Sequence, residues 1–251
     1  MLSAPSPSQP VRVAMWSGPR NLSTALLRSW GSRPDAAVVD EPLYAAYLAA
    51  TGLDHPGRDA VLASQPTEWQ DVAATLSGPV PGAARIWYQK HMAHHLLPHV
   101  GREWLDHPSF RHAFLIRDPA AMVVSLDRVT PGPTLADTGL PQQVELFDRM
   151  AQRDGAAPPV IDAADVLRDP ERLLRALCAR LGVPFDPAML SWAPGPRATD
   201  GVWAEHWYAS VEASTGFAPP RPEAVEVPDR LAPLVADCQP LYDTLADHRL
   251  P

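Results

Sequence analysis

The chain has 251 residues, 46% of them hydrophobic, with 30 Pro and only 14 Gly, so it can bury a large core. Lys and Arg total 21 against 29 Asp and Glu, a net charge of −8. That balance argues against a nucleic-acid binder, which would show a basic field, and against a polybasic membrane-surface protein.

Residues 1–10 are rich in Ser and Pro, with neither a basic nor an apolar signal region, and read as a tail ahead of one domain over 11–251. Strands are predicted at 11–16, 36–39, 85–89, 112–116 and 160–161, from short apolar runs. Helices are predicted at 22–30, 43–50, 69–76, 140–153 and 229–246, with 91–100 partly helical. Asp118-Pro119 and Asp169-Pro170 each read as an N-cap followed by Pro in the first turn, and Gly182 ends the helix begun at Asp169. Strands alternating with helices imply an α/β fold of three layers, α/β/α, around a central, mainly parallel sheet. Ligands of such sheets bind beyond the carboxyl ends of the strands. Two cysteines, Cys178 and Cys238, form no CxxC pair, and no apolar run approaches the ~18 residues of a membrane span. The expectation is a reduced, cytoplasmic protein.

The first strand runs into Gly18-Pro19-Arg20-Asn21-Leu22-Ser23-Thr24 at a helix start. Free backbone N–H groups and the helix dipole favour an anion there. Arg20 adds a cation, and Ser23 and Thr24 add hydroxyls. The blander reading is a turn with a capped helix. The Lys of a GxxxxGK[ST] loop is missing. A second anion arrangement follows the fourth strand. Arg117 can fork onto a phosphate, and Ser125 lies two helical turns on.

These two motifs, about a hundred residues apart, resemble sulfotransferases that use 3′-phosphoadenosine 5′-phosphosulfate (PAPS). Gly18, Pro19, Arg20, Ser23 and Thr24 match the family's 5′-phosphosulfate loop, while Asn21 and Leu22 replace its usual Ser and Gly. Arg117 and Ser125 fall on the 3′-phosphate ligands of its R-[DN]-P-x5-S element. The stretch 160–190 is also similar to bacterial members. The resemblance implies a P-loop nucleotide-hydrolase-like sulfotransferase fold and PAPS as co-substrate without a metal. It implies sulfuryl transfer to a hydroxyl of a small-molecule acceptor, with no nucleic-acid or membrane partner, by a monomer or homodimer. A P-loop kinase or nucleotide hydrolase, or a non-catalytic nucleotide-binding protein on this scaffold, stays open as an alternative.

Two residues compete as general base. Glu41 follows the second strand, as a catalytic Glu does in some relatives, and is slightly favoured. His91 falls on the base of the similar K-T-H-L-P-x-x-L-L-P stretch of animal sulfotransferases. Lys90, the single lysine of the chain, sits one place off that stretch's Lys. A one-residue shift on a strand moves a side chain to the other face. Lys90 and His91 are both expected to line the acceptor site. A helical stripe of His91, His95 and His99 could hold a metal, but Pro98 interrupts it and no Cys or paired carboxylate completes it. Arg197, Gly201 and Trp203 loosely resemble the family's late loop, R-K-G-x-x-G-x-W, over the nucleotide.

Overall fold

A computed structural model describes residues 10–82, 84–219 and 225–251; the expected N-terminal tail, apart from Pro10, lies outside them. Five strands form one sheet: β1 (Val11–Ser17), β2 (Ala36–Asp40), β3 (Ile86–Met92), β4 (Phe110–Ile116) and β5 (Val160–Asp162). Their order is β2-β3-β1-β4-β5, and every neighbouring pair is parallel. The carboxyl ends of all five strands therefore point the same way, with β1 in the middle.

The connecting helices are α1 (Ser23–Gly31), α2 (Tyr44–Thr51), α3 (Arg58–Ser64), α4 (Trp69–Ser77) and α5 (Pro119–Asp127). They continue with α6 (Leu135–Thr138), α7 (Leu140–Asp154), α8 (Ala163–Arg168) and α9 (Pro170–Leu181). Two single turns, α10 (Ala204–Trp207) and α11 (Ala209–Glu212), precede the C-terminal α12 (Ala232–Ala246). The predicted caps form: Asp118 accepts from Ala121 N at 2.9 Å and Asp169 from Arg172 N at 3.2 Å. Gly182 ends α9 in the left-handed conformation, φ 71°.

Side chains alternate between two apolar layers, as the period of two in a strand requires. Trp16, Trp87 and Phe114 face α4, α5, α7 and α12. Val13, Met15, Tyr88 and Leu115 face α1, α8 and α9. With both faces covered, the strands can be nearly all apolar. A third cluster, Tyr44, Tyr47, Leu48 and Val61 with Trp203 and Tyr208, packs α2 and α3 against the C-terminal segment.

The structure extends β3 beyond the predicted 85–89. Parallel pairing with β1 carries it through His91 and Met92, so the expected helix over 91–100 reduces to a single 3₁₀ turn, Ala93–His95. β4 starts at Phe110, and the C-terminal helix begins as a 3₁₀ turn at Asp229–Leu231.

Arg12 is a buried charge within β1. Its guanidinium donates to Leu76 O at 3.0 Å, Ser77 O at 3.2 Å, Gly78 O and Ser109 Oγ. It thereby satisfies carbonyls left open at the end of α4. We expect Arg12→Leu to lower stability by about 1.5–3 kcal/mol, the value of a hydrogen bond to a charged group. A urea midpoint that falls with an unchanged slope would report this; an unchanged midpoint would contradict it.

Candidate active site

The loop after β1 is shaped by close approach. A Cβ on Gly18 would collide with Thr138 O, so no side chain fits there. Gln143 bridges this corner: with its amide turned to satisfy both neighbours, its Nε2 donates to Leu115 O at 3.2 Å and its Oε1 accepts from Gly18 N at 3.1 Å. Asn21 Nδ2 also donates to Leu115 O, at 3.1 Å, and so ties the loop to β4. Leu22 packs on the α1 layer of the core. Its side chain therefore turns away from the loop's ligand side, which is how a Leu is accommodated where relatives have Gly. The first α1 amide to reach a helical carbonyl is Leu26 N, on Leu22 O at 3.1 Å. The amides of Ser23 and Thr24 precede it and are open to an anion.

Three residues from the two sequence motifs meet over this loop. Arg20 Nε donates to Ser125 Oγ at 3.2 Å, and Arg117 Nη1 donates to Arg20 O. Arg20 has φ 59°, a left-handed backbone uncommon outside Gly. Burial and then Arg128 lower the pKa of Arg20, and burial and then Arg20 lower that of Arg117. Arg128, a cation the motif reading passed over, follows α5 directly. Among the described residues neither Arg20 nor Arg117 makes a salt bridge within 4.0 Å. Adjacent cations without paired carboxylates form a site whose charge an anion would complete.

A second set of charges lies over β2 and β3. Asp40 ends β2, and Glu41 follows with φ 40°; its N–H donates to Lys90 O at 3.0 Å. Lys90 Nζ donates to Asp40 Oδ1 at 2.8 Å, Glu41 Oε1 at 2.7 Å and Tyr208 Oη at 2.7 Å. The Lys90 and Asp40 side chains are each only 1% exposed, while Glu41 keeps 13%. Glu41 is thus the member a substrate can reach. Burial pushes its carboxyl above the usual range; Lys90 pulls it back, Asp40 pushes it up again, and the net direction is upward. Burial works against the Lys90 ammonium, but Asp40, Glu41 and Tyr208 outweigh it and hold its pKa well above the ordinary value.

Because β3 continues past Lys90, Lys90 and His91 point to opposite faces of the sheet. His91 is buried on the Trp16 side, its ring stacked on that indole at 4.2 Å, with Nε2 3.3 Å from Gln89 Oε1. Burial and then His112 push its pKa down to about 3. The structure thus brings Lys90 to Glu41 but not His91. The helical histidine stripe that the sequence argued against does not form, since His91 is on β3 and His95 in the following 3₁₀ turn.

The sulfotransferase-domain family matches residues 11–248 of the chain. This chain belongs to the sulfotransferase family. A branched-chain-amino-acid aminotransferase-like protein of Arabidopsis thaliana is 39% identical over 242 residues, covering 96% of this chain but 42% of the relative. The chain therefore spans less than half the length of that protein. Among solved structures, the sulfotransferase domain of the Synechococcus PCC 7002 olefin synthase is 22% identical and superposes with a TM-score of 0.55, covering all of both chains. A sulfotransferase from Alicyclobacillus acidocaldarius is 17% identical with a TM-score of 0.57, covering 97% of this chain and 98% of that one. These likenesses share the fold: a central parallel sheet with helices on both sides.

The late-loop residues of this chain sit elsewhere than over the loop from Gly18 to Thr24. Arg197 lies against Gly31 at the far end of α1 and lines a shallow hollow with Ser32 and Trp192. Asp200, in the same segment, pairs with buried Arg28 at 2.7 Å. Gly201 N donates to Asp40 Oδ2 at 3.3 Å, and Trp203 is buried in the third cluster. This segment therefore packs on the Lys90 network. Tyr208, which no local motif separates from the core aromatics, completes that network.

Removing one partner from a buried ion pair leaves uncompensated charge. We expect Lys90→Met to cost about 3–5 kcal/mol at neutral pH. The wild-type ammonium contribution is fully present below its ordinary pKa and fades only as pH rises through the raised value. The deficit should therefore stay level from neutral to mildly alkaline pH. It should narrow in acid as the orphaned carboxylates take up protons. Urea titrations at several pH values check both statements, and a deficit under 1 kcal/mol at neutral pH would contradict them.

Proposed function

We propose that this sulfotransferase transfers a sulfuryl group from PAPS to a hydroxyl of a small-molecule acceptor. The carrying observation is the placement of two complementary sites on one rim of the sheet. The anion cradle of Gly18–Thr24, Arg20, Arg117 and Ser125 stands over β1 and β4. Glu41 stands after β2, two strand spacings from β1, or about 10 Å. The residues present fit the donor: Gly18 has no room for a side chain, the first α1 amides are open, and Arg20 and Arg117 make no salt bridge among the described residues.

When bound, PAPS supplies an activated sulfuryl group. The loop amides with Arg20 would hold its 5′ side, and Arg117 with Ser125 its 3′-phosphate. Arg20 bridges the two, through its side chain to Ser125 and through its carbonyl to Arg117. The new bond is between the acceptor oxygen and sulfur; the bond broken joins sulfur to the 5′-phosphate oxygen, and adenosine 3′,5′-bisphosphate leaves. The acceptor proton goes to Glu41 Oε2, the oxygen that Lys90 does not engage. A carboxyl raised by burial is a better match to that task than an ordinary Glu. Preorganised cations stabilise charge building on the leaving phosphate. A small acceptor is favoured because Glu41 is largely enclosed and a net charge of −8 disfavours anionic polymers.

The test is calorimetry with adenosine 3′,5′-bisphosphate. We expect binding, weakened roughly 10–150-fold by Arg117→Ala, equivalent to about 1.5–3 kcal/mol for lost charge-assisted hydrogen bonds. No binding to the wild-type protein at high micromolar concentration would contradict the proposal.

A further inference from the structure

Tyr208 covers the Lys90 site from the junction of α10 and α11. Its buried hydroxyl donates to Asp40 Oδ2 at 2.6 Å. It accepts from Lys90 Nζ at 2.7 Å and from Trp203 Nε1 at 3.2 Å. A phenol has one proton and two lone pairs, so this hydroxyl is saturated. Lys90 is saturated too, since its three protons go to Asp40, Glu41 and Tyr208. Asp40 takes Lys90 on one oxygen, and Tyr208 with the Gly201 amide on the other. The ammonium therefore cannot lean toward Asp40 without breaking a bond elsewhere.

The geometry points to Tyr208 as a positioning residue: its hydroxyl fixes the Lys90 ammonium between Asp40 and Glu41 and thereby holds the Glu41 carboxylate ready for the acceptor. The proposal rests on the reading of Glu41 as the base. Asp40 from β2, Lys90 from β3, Tyr44 from α2 and Tyr208 face Glu41. His95 stacks on Tyr44 at 4.9 Å, and burial lowers its pKa well below the ordinary value, so it adds no charge at neutral pH. Without the hydroxyl, Asp40 loses its nearest donor and draws Lys90 toward itself. Glu41 then keeps its burial with less of the ammonium to offset it, and takes up a proton more readily.

The experiment follows the Glu41 carboxyl directly in the resting protein. Protein labelled with ¹³C at the glutamate carboxyl is titrated by NMR, the Glu41 signal being the one missing from Glu41→Gln. In Tyr208→Phe we expect the Glu41 midpoint to rise by about one pH unit, the scale of one hydrogen bond to a charged group. If Tyr208 merely fills space, the variant loses stability while the midpoint stays where it is; an unmoved or lowered midpoint overturns the proposal. Should Tyr208→Phe fail to fold, Trp203→Phe removes the indole donor to the same hydroxyl, together with part of the buried ring, and leaves the hydroxyl itself in place. Lys90 is then drawn toward Tyr208, and a smaller rise is expected; no rise has the same overturning force. Neither donor nor acceptor is present in this titration, so its failure is distinct from failure of Glu41 as base, which turnover by Glu41→Gln decides.

Discussion

One ammonium shared by two adjacent carboxylates governs how the rim of this sheet is organised. Lys90 belongs to β3, Asp40 to the end of β2, and Glu41 to the first residue beyond it. Two carboxylates so near each other and so far from water would be unfavourable without a cation. The cation in turn tolerates its burial because three oxygens surround it. The left-handed Glu41 backbone is held from both sides, by its N–H on Lys90 O and by Gln65 Nε2 on its own carbonyl at 3.2 Å. The C-terminal segment then docks through Gly201 and Tyr208 onto the same Asp40. Removal of Lys90 therefore reaches beyond one side chain, to the seating of a segment more than a hundred residues away in sequence.

The strand order explains why this charge network and the anion cradle can cooperate. β3 lies between β2 and β1, so the network and the cradle are neighbours on one rim but do not share residues. Parallel pairing sends every strand's carboxyl end to that rim, which is where doubly covered sheets bind ligands. The cradle is built with unbalanced positive charge and the network with an excess carboxylate. An anionic donor suits the first, and an acceptor hydroxyl that must lose a proton suits the second.

Local features of the sequence carried much of this. The Gly18–Thr24 turn, Arg117 with Ser125, and the Asp-Pro helix starts depend on residues close together in the chain, and each appears where its spacing places it. Strand length did not follow from local signals. Gln89, Lys90 and His91 are polar enough to suggest that β3 had ended, yet pairing with the long apolar β1 carries it on through Met92. That difference decides which face each residue occupies, and so separates His91 from Glu41. The remaining gaps are long-range. Arg12 closes the end of α4, Leu22 turns into the core, and Tyr208 meets Asp40 across 168 positions. No spacing pattern along one chain encodes those meetings.

Incubation with ³⁵S-labelled PAPS and a metabolite extract, run side by side with wild-type protein and Glu41→Gln, asks whether Glu41 takes the acceptor proton during sulfuryl transfer. The Gln variant keeps a group that can accept from Lys90 but cannot take a proton as a carboxylate does. We expect a labelled hydroxyl product from the wild-type protein and a loss of roughly 10²–10⁴-fold in its rate of formation with Glu41→Gln. Equal formation by the two proteins, or no labelled product from the wild type, would contradict this expectation.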